Sequence, residues 1–535
     1  MKLTLENTED RLFGKILRTQ AQDNPAQRFL VTDDTTVTFG EAEDITNRLA
    51  AGIRELGVGA GDRVVLFLSN RPEMVLLTLA VNKLSAIWVP INTDYRGEWL
   101  ADAVTGSRPV LVVTETELAP RLAEVRDRLP EQLVLLDKDD DGIAGAVDYD
   151  ALLQHAPLEL DYHDQHYGDT CAIMWTSGTT GKSKGVMQSY NNWIRGIVDG
   201  ASPSYDSGPD DICYCALPLY NSGAWLTSVY RCLIEGIPCV IESKFSVSRF
   251  WERINQFGAT QTFAIGAMGT FLMDQPESPE DRQNTLRRAY IVPMAPHLWQ
   301  PFEERFDVQL VASGLGMSEC LMIMNHLRCP EGVPSYALGT PIEDLDLELC
   351  DDDGNPVEPG TPGEICIRPR VPHAIFNGYF DNPEATEAAF HGDWFLTGDL
   401  ARKDPDTGIY FFADRKKDAV RFAGRNISTL EVESVARRHP DVADVAAYGI
   451  PAQEHADEDE LKLSVVPRAG SELTAEALCK FINQNAPYFF VPRYLDFVDS
   501  LPYTPTQKVQ KFQLRQKGNS ADTWDLKLSD FEVTR

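Results

Sequence analysis

Trp175-Thr176-Ser177-Gly178-Thr179-Thr180-Gly181-Lys182-Ser183-Lys184-Gly185 is a hydroxyl- and glycine-rich loop directly after an apolar, strand-like run, Cys171 to Met174. Glycines let backbone N–H groups approach an anion, Ser and Thr hydroxyls add donors, and Lys182 and Lys184 supply positive charge. The composition predicts a polyphosphate-binding loop at the end of a strand. Gly181-Lys182-Ser183 resembles the end of a Walker A loop, but Thr176 stands where its first glycine belongs. A dinucleotide fingerprint fails too, because Gly314-Leu315-Gly316 is followed by Met317, Ser318 and Glu319 with no third glycine. A plain surface loop is the bland alternative, and eleven residues of this pattern argue against it.

Outward from the loop, short runs rich in β-branched residues alternate with helical stretches. Val64 to Leu68, Ile87 to Ile91, Val110 to Val113 and Leu133 to Leu136 precede it. Cys213 to Leu217, Pro238 to Ile241, Thr262 to Ile265, Tyr290 to Val292 and Gln309 to Ala312 follow it. This alternation predicts an α/β fold with parallel sheets, in two stacked α/β subdomains. From about Leu345, short strands and acidic turns predict a small β-rich subdomain. After Asp414 a compact α+β domain is expected, with helices over Thr429 to Arg438 and Ala475 to Asn485 and strands at Val445 to Tyr448, Leu461 to Val466 and Leu495 to Val498.

At 535 residues the chain exceeds one ordinary core. Its formal net charge of -32 repels phosphate backbones and anionic lipid, which argues against nucleic-acid partners, so an anionic ligand needs a local positive pocket. No apolar run reaches bilayer length and the N-terminus has no apolar leader, so a cytoplasmic protein without an integral membrane segment is expected. The ten cysteines show no paired framework and read as reduced thiols. Cys213 and Cys215 are the close pair, with no neighbouring pair in sequence to complete a metal site.

The loop resembles the signature of the adenylate-forming superfamily of acyl-CoA synthetases, peptide-synthetase adenylation domains and beetle luciferases. Other segments follow in the superfamily's order. Gly316-Met317-Ser318-Glu319 resembles Gly-x-Thr-Glu, Trp394-Phe395-Leu396-Thr397-Gly398-Asp399 resembles Trp-Phe-x-Thr-Gly-Asp, and Asp414-Arg415-Lys416-Lys417-Asp418 resembles the Gly-Arg-x-Lys-Asp hinge. Gly424-Arg425-Asn426-Ile427-Ser428 with Glu431 and Glu433 is similar to Gly-x-Asn-Ile-x-Pro-x-Glu-x-Glu. Phe250-Trp251 to Ala259-Thr260, Pro293 to Pro296 and Asp414-Arg415 resemble the crotonobetaine and carnitine CoA-ligase branch most.

The resemblance implies a cytoplasmic acid–thiol ligase that joins a carboxylic acid to coenzyme A through an acyl-AMP, converting ATP to AMP and pyrophosphate with Mg²⁺. It implies an N-terminal domain over 1–414, a hinge at 415–418 and a mobile C-terminal domain over 419–535. Thr176, Ser177, Gly178, Thr179, Thr180, Gly181, Lys182 and Lys184 would hold the ATP phosphates, and Glu319 would bind the metal. Pro293, Met294 and Ala295, with Ser313, Gly314, Leu315, Gly316, Met317 and Ser318, would border the nucleotide. Asp399 and Arg415 would take the ribose, Lys417 would serve as hinge, Lys508 would reach the forming acyl phosphate, and Gly424 would border the pantetheine tunnel. Tyr220, Asn221, Gly223 and Ala224, with Gly314 and Gly316, would face the acyl group. The small residues Ser222, Gly223 and Ala224 predict room for a bulky or polycyclic acid. Homodimers occur among relatives.

Three departures carry a second expectation. Leu315 replaces the usual adenine-stacking aromatic, Asn221 the usual imidazole, and Gln507 the glycine before Lys508 in Thr504-Pro505-Thr506-Gln507-Lys508. A side chain at 507 restricts the backbone that brings Lys508 forward. Adenylation would then be impaired and the enzyme would mainly thioesterify a supplied acyl-AMP. Loading of a carrier protein, a luciferase-like oxygenase and a non-catalytic nucleotide binder stand as the other readings.

Overall fold

The structure is a computed structural model describing residues 2–137, 143, 145–176, 184–294, 296–416, 418, 420–422, 425–452, 459–503, 509–529 and 531–534. The chain forms two compact units. The first runs through Met1–Ser177, Ser183–Asp346 and Pro369–Ala388, and the second through Leu347–Arg368 and Ala389–Arg535.

In the first unit, fourteen strands build two seven-stranded sheets. They are β1 (Arg28–Val31), β2 (Thr36–Thr38), β3 (Arg63–Phe67), β4 (Ile87–Pro90), β5 (Leu111–Glu115), β6 (Gln132–Leu136), β7 (Val147–Asp148), β8 (Thr170–Thr176) and β9 (Lys184–Ser189), followed by β10 (Cys213–Cys215), β11 (Cys239–Ile241), β12 (Gln261–Ile265), β13 (Arg288–Val292) and β14 (Gln309–Leu310). One sheet has the order β7-β6-β5-β3-β4-β8-β9 and the other β14-β13-β12-β10-β11-β1-β2. Pairing is parallel except at β8–β9 and β1–β2. Continuous burial along β4 and β5 is what parallel strands covered on both faces require.

The helix Pro72–Lys83 is buried at every position except Glu73, so its apolar residues face all round rather than along one stripe. It belongs to a core that joins Leu66, Trp88 and Val113 of the first sheet to Cys213 and Cys239 of the second. Trp88 packs on Trp225 at 4.5 Å between ring centres, and Trp193 on Tyr230 at 5.4 Å. Burying each such ring contributes roughly 1.5–3 kcal/mol. The two α/β halves therefore share one interior, as the alternating pattern predicts. β1 went unread because it pairs in parallel with β11, some two hundred residues away.

Cys213 and Cys215 are both buried on β10, but Cys213 has companions that linear spacing hides. Its thiol lies with those of Cys232 and Cys239 in a group whose sulfurs are all within 4.8 Å of one another. No second pair stands beside Cys213 and Cys215 in sequence, and the fold supplies the companions instead: register sets Cys213 beside Cys239, and the helix Tyr230–Glu235 brings Cys232.

In the first unit β15 (Met324–Asn325) pairs with β16 (Thr340–Pro341). The second unit holds β17 (Leu345–Cys350), β18 (Pro362–Pro369), β19 (Phe390–His391), β20 (Trp394–Lys403) and β21 (Tyr410–Arg415) in one sheet. β22 (Val420–Phe422) and β23 (Arg425–Ile427) form a ribbon, and β24 (Val442–Pro451), β25 (Asp459–Pro467), β26 (Tyr494–Phe497) and β27 (Trp524–Asp525) a four-stranded sheet. The helices Thr429–Arg437 and Ala475–Asn485 pack on that sheet, capped by Ser428 and Thr474, whose hydroxyls accept from the N–H of Glu431 and Ala477. No helix among the described residues is long and apolar enough to cross a membrane.

Candidate active site

In the first unit, β8 and β9 end their antiparallel pairing at Thr176 opposite Lys184. Ser177, Gly178, Thr179, Thr180, Gly181 and Lys182 fall between them, outside the described residues. The segment 376–380 lies along β9. The N–H of Asn377 donates to Met187 O at 2.8 Å, that of Met187 to Gly378 O at 3.0 Å, and that of Phe380 to Gly185 O at 2.7 Å. This pairing sets Tyr379 beside the base of the loop, where the Lys184 ammonium sits 4.5 Å from its ring centre.

The same segment holds Glu319. Its carbonyl accepts from the Phe376 N–H at 2.7 Å and its Oε1 from the Tyr379 hydroxyl at 2.8 Å. Gln188 donates to Ser318 O, and the Asn192 amide reaches Glu319 O at 3.4 Å. Glu319 and Tyr379 are both buried. Burial and the adjoining carboxylate push the phenol's pKa up, so Tyr379 stays a proton donor.

Glu319 rides a tight loop. Leu315 N–H donates to Met324 O at 3.1 Å, Ile323 N–H to Leu315 O at 2.7 Å, and Met317 N–H to Cys320 O at 2.9 Å. Glycine is required twice by close approach: a Cβ on Gly314 would meet Met324 O at 2.8 Å, and one on Gly316 would meet Leu321 O at 2.2 Å. β13 and β14 run parallel, so Pro293 and Met294 after the one and Ser313 to Leu315 after the other leave the sheet at the same edge. That is where open α/β sheets bind ligands. Pro293 follows a cis peptide bond and Met294 is buried, while Ala295 lies outside the described residues.

Around the expected acyl residues, Gly223 lies against an aromatic ring and Ala224 against the core. A Cβ on Gly223 would lie 3.2 Å from the Phe263 ring, and Ala224 is wholly buried in the core. Phe263 fills what Gly223 vacates, and packs on Tyr290 at 5.4 Å. Tyr220 and Asn221 are half-buried, and burial with nearby Asp94 raises the Tyr220 hydroxyl to about 12.

In the second unit, Asp399 on β20 lies opposite Arg415 on β21, and their side chains meet at 3.1 Å from Nε to Oδ1. Asp399 is buried while Arg415 is half exposed, so the pair combines a fixed carboxylate with an accessible cation. Its turn is tied down by Glu364, which accepts from the Gly398 N–H at 2.9 Å and from Lys416 Nζ at 2.7 Å. Asp414 is buried beneath it. Burial raises its pKa against the pull of Lys511 and of Thr429, whose N–H and hydroxyl both donate to Oδ2. Glu433 accepts from the Ala447 N–H at 2.9 Å and pairs with Lys511 at 2.9 Å, so this motif carboxylate is a buried brace. Lys417, Gly424 and Lys508 lie outside the described residues.

The family model for AMP-binding enzymes matches residues 17–380, and that for the AMP-binding enzyme C-terminal domain matches 431–508. The chain belongs to the AMP-binding enzyme family. It is 30% identical over 485 residues to a crotonobetaine/carnitine–CoA ligase of Proteus mirabilis, covering 89% of this chain and 93% of that protein. A crotonobetaine/carnitine–CoA ligase of Escherichia coli O157:H7 is also 30% identical over 489 residues, covering the same shares. Among solved structures, a benzoate CoA ligase from Burkholderia xenovorans superposes with a TM-score of 0.83 at 21% identity, covering 94% of this chain and 99% of that one. The O-succinylbenzoate coenzyme A synthetase of Bacillus subtilis, in complex with AMP, gives 0.80 at 25% identity, covering 96% and 99%. As a member of this family the chain is an AMP-forming acid–thiol ligase. Tyr379 and Phe263 escaped the sequence reading; pairing with β9 and packing against Gly223 reveal them.

Proposed function

We propose that the protein converts a carboxylic acid, ATP and coenzyme A into an acyl-CoA in two half-reactions at one nucleotide site. A carboxylate oxygen first attacks the α-phosphorus of ATP, expelling pyrophosphate and leaving an acyl-AMP. The coenzyme A thiol then attacks the acyl carbon, losing its proton and expelling AMP. The observation that carries this reading is the buried Glu319, held by Tyr379 beside Lys184: a carboxylate and a cation set together at the base of a phosphate loop.

Glu319 offers hard oxygen donors, which suits Mg²⁺, an ion that binds through one or two carboxylates plus substrate phosphates. When bound it neutralises charge on the phosphates. The loop's N–H groups and lysines hold the polyphosphate, Asp399 accepts from the ribose hydroxyls with Arg415 in support, and Lys508 stabilises charge on the acyl phosphate. Residues 415–418 act as a hinge between an N-terminal domain over 1–414 and a C-terminal domain over 419–535, and Gly424 borders the pantetheine path. The acyl group lies against Phe263 and Tyr290, whose rings accept a planar acid or a quaternary ammonium group. A cytoplasmic location and a homodimer go with this reading.

Gln507 favours a variant of it, in which adenylation is slowed and thioesterification of a supplied acyl-AMP is the faster activity. The test supplies coenzyme A and Mg²⁺ with either ATP plus acid or presynthesised acyl-AMP, over crotonobetaine, carnitine and aromatic acids, and detects acyl-CoA by mass spectrometry. Product from both supplies supports the two-step ligase, and product from acyl-AMP alone the half-enzyme. No product from any acid in either arm overturns both.

A further inference from the structure

The segment 376–380 does more than edge β9. Its Phe376 N–H holds the Glu319 carbonyl, its Tyr379 hydroxyl donates to the Glu319 carboxylate, and the face of the same Tyr379 ring carries the Lys184 ammonium. We propose that Tyr379 is a positioning residue for adenylation, one side chain that orients the carboxylate for the cation through its hydroxyl and parks the loop lysine on its ring.

The geometry makes the two contacts cooperative. A phenol that donates to a carboxylate gains electron density on its ring, and a more negative ring face attracts an ammonium more strongly. Backbone pairing leaves the ring little freedom: Val186 and Tyr379 form a bridge, the Tyr379 N–H donates to the Thr386 hydroxyl at 2.9 Å, and Phe376 packs on the ring at 4.9 Å. Gly378 beside it has φ +104, a conformation open to glycine, which lets the chain turn Tyr379 inward. Groups that orient a metal-binding side chain typically change metal affinity about 10–100-fold when removed.

This inference rests on Glu319 being the ligand of the cation, and the experiment separates the two. ATP affinity is measured by calorimetry across a Mg²⁺ titration for the wild type, Tyr379→Phe, Tyr379→Leu and Glu319→Gln, with acid-dependent ATP–pyrophosphate exchange alongside. Tyr379→Phe keeps the ring under Lys184, so ATP affinity without Mg²⁺ should match wild type while the Mg²⁺ needed for half-maximal tightening rises about tenfold. Tyr379→Leu should show that rise and weaker ATP binding without Mg²⁺ as well. If Glu319→Gln shifts the Mg²⁺ requirement and both Tyr379 variants match wild type, the role of Tyr379 is refuted and that of Glu319 stands. If none of the three shifts it, both fall. Should Tyr379→Leu fail to fold, Tyr379→Phe, which loses one oxygen, decides the matter alone.

Discussion

Gly316→Ala is the smallest change that tests whether the Glu319 loop must keep its shape. The added carbon would sit 2.2 Å from the Leu321 carbonyl oxygen, 2.9 Å from its carbon and 3.6 Å from Met322 N, so its neighbours are backbone and no side chain can swing away. Ordinary contact begins at 3.4 Å, and the difference from 2.2 Å obliges the loop to open by about 1.2 Å. The loop is pinned at its base by the Leu315, Ile323 and Met324 hydrogen bonds, so the displacement falls on its tip, which carries Glu319. A shift of that size breaks the 2.8 Å bond from Tyr379. Misplacing a reacting group by about 1 Å costs roughly a hundredfold in rate, while overpacking costs about 1–3 kcal/mol of stability. Acid-dependent ATP–pyrophosphate exchange should therefore fall about a hundredfold, while the melting temperature drops by only a few degrees. Exchange at the wild-type rate in a folded Gly316→Ala protein would refute the steric argument.

Gln507→Gly should raise product formation from ATP plus acid and leave the rate from presynthesised acyl-AMP unchanged; equal rates from ATP in both proteins would show that the side chain at 507 does not limit adenylation. Lys508→Ala should lower adenylation on the order of a hundredfold, the scale of one lost charge-stabilising donor, and normal turnover would remove Lys508 from the site. Asp211→Asn tests the pH dependence of stability. Burial alone would raise this carboxyl, but Arg287, the Thr260 hydroxyl and the Gly208 N–H outweigh it and hold its pKa below 3.8. A depressed folded pKa contributes stability above the unfolded value and loses it as pH falls through the folded one. The variant's melting deficit should thus be full at neutral pH and shrink below about pH 4; a deficit constant with pH would mean the carboxylate charge is not what matters.

The central strands of both large sheets were legible because parallel strands buried on both faces leave unbroken β-branched runs, as at Val64 to Leu68. The helix expected near Ala475 to Asn485 forms over those residues, with Thr474 capping its start. What escaped depends on partners far away in the chain. The pairing of β1 with β11 has no local signal, and neither does the lodging of Tyr379 between Lys184 and Glu319. Small side chains at 223 and 224 suggest room for a bulky acid, but which neighbour borders them has no local signal, and beside Gly223 it is Phe263. Asp399 and Arg415 were both singled out by motif, and their meeting follows from antiparallel register, which sequence spacing alone does not specify.

Nine of the ten cysteines are buried, and Cys329 alone is partly exposed. Thiol chemistry is therefore closed to nine of the ten cysteines so long as the protein stays folded. A disulfide reagent should count about one sulfur in the native protein and ten in denaturant, and the slow appearance of the others would time the opening of the interior. Cys213, Cys232 and Cys239 lie in the core shared by the two large sheets, so their modification marks the moment that core parts. Inactivation by mild oxidants, if seen, would then report on unfolding rather than on damage at the nucleotide site.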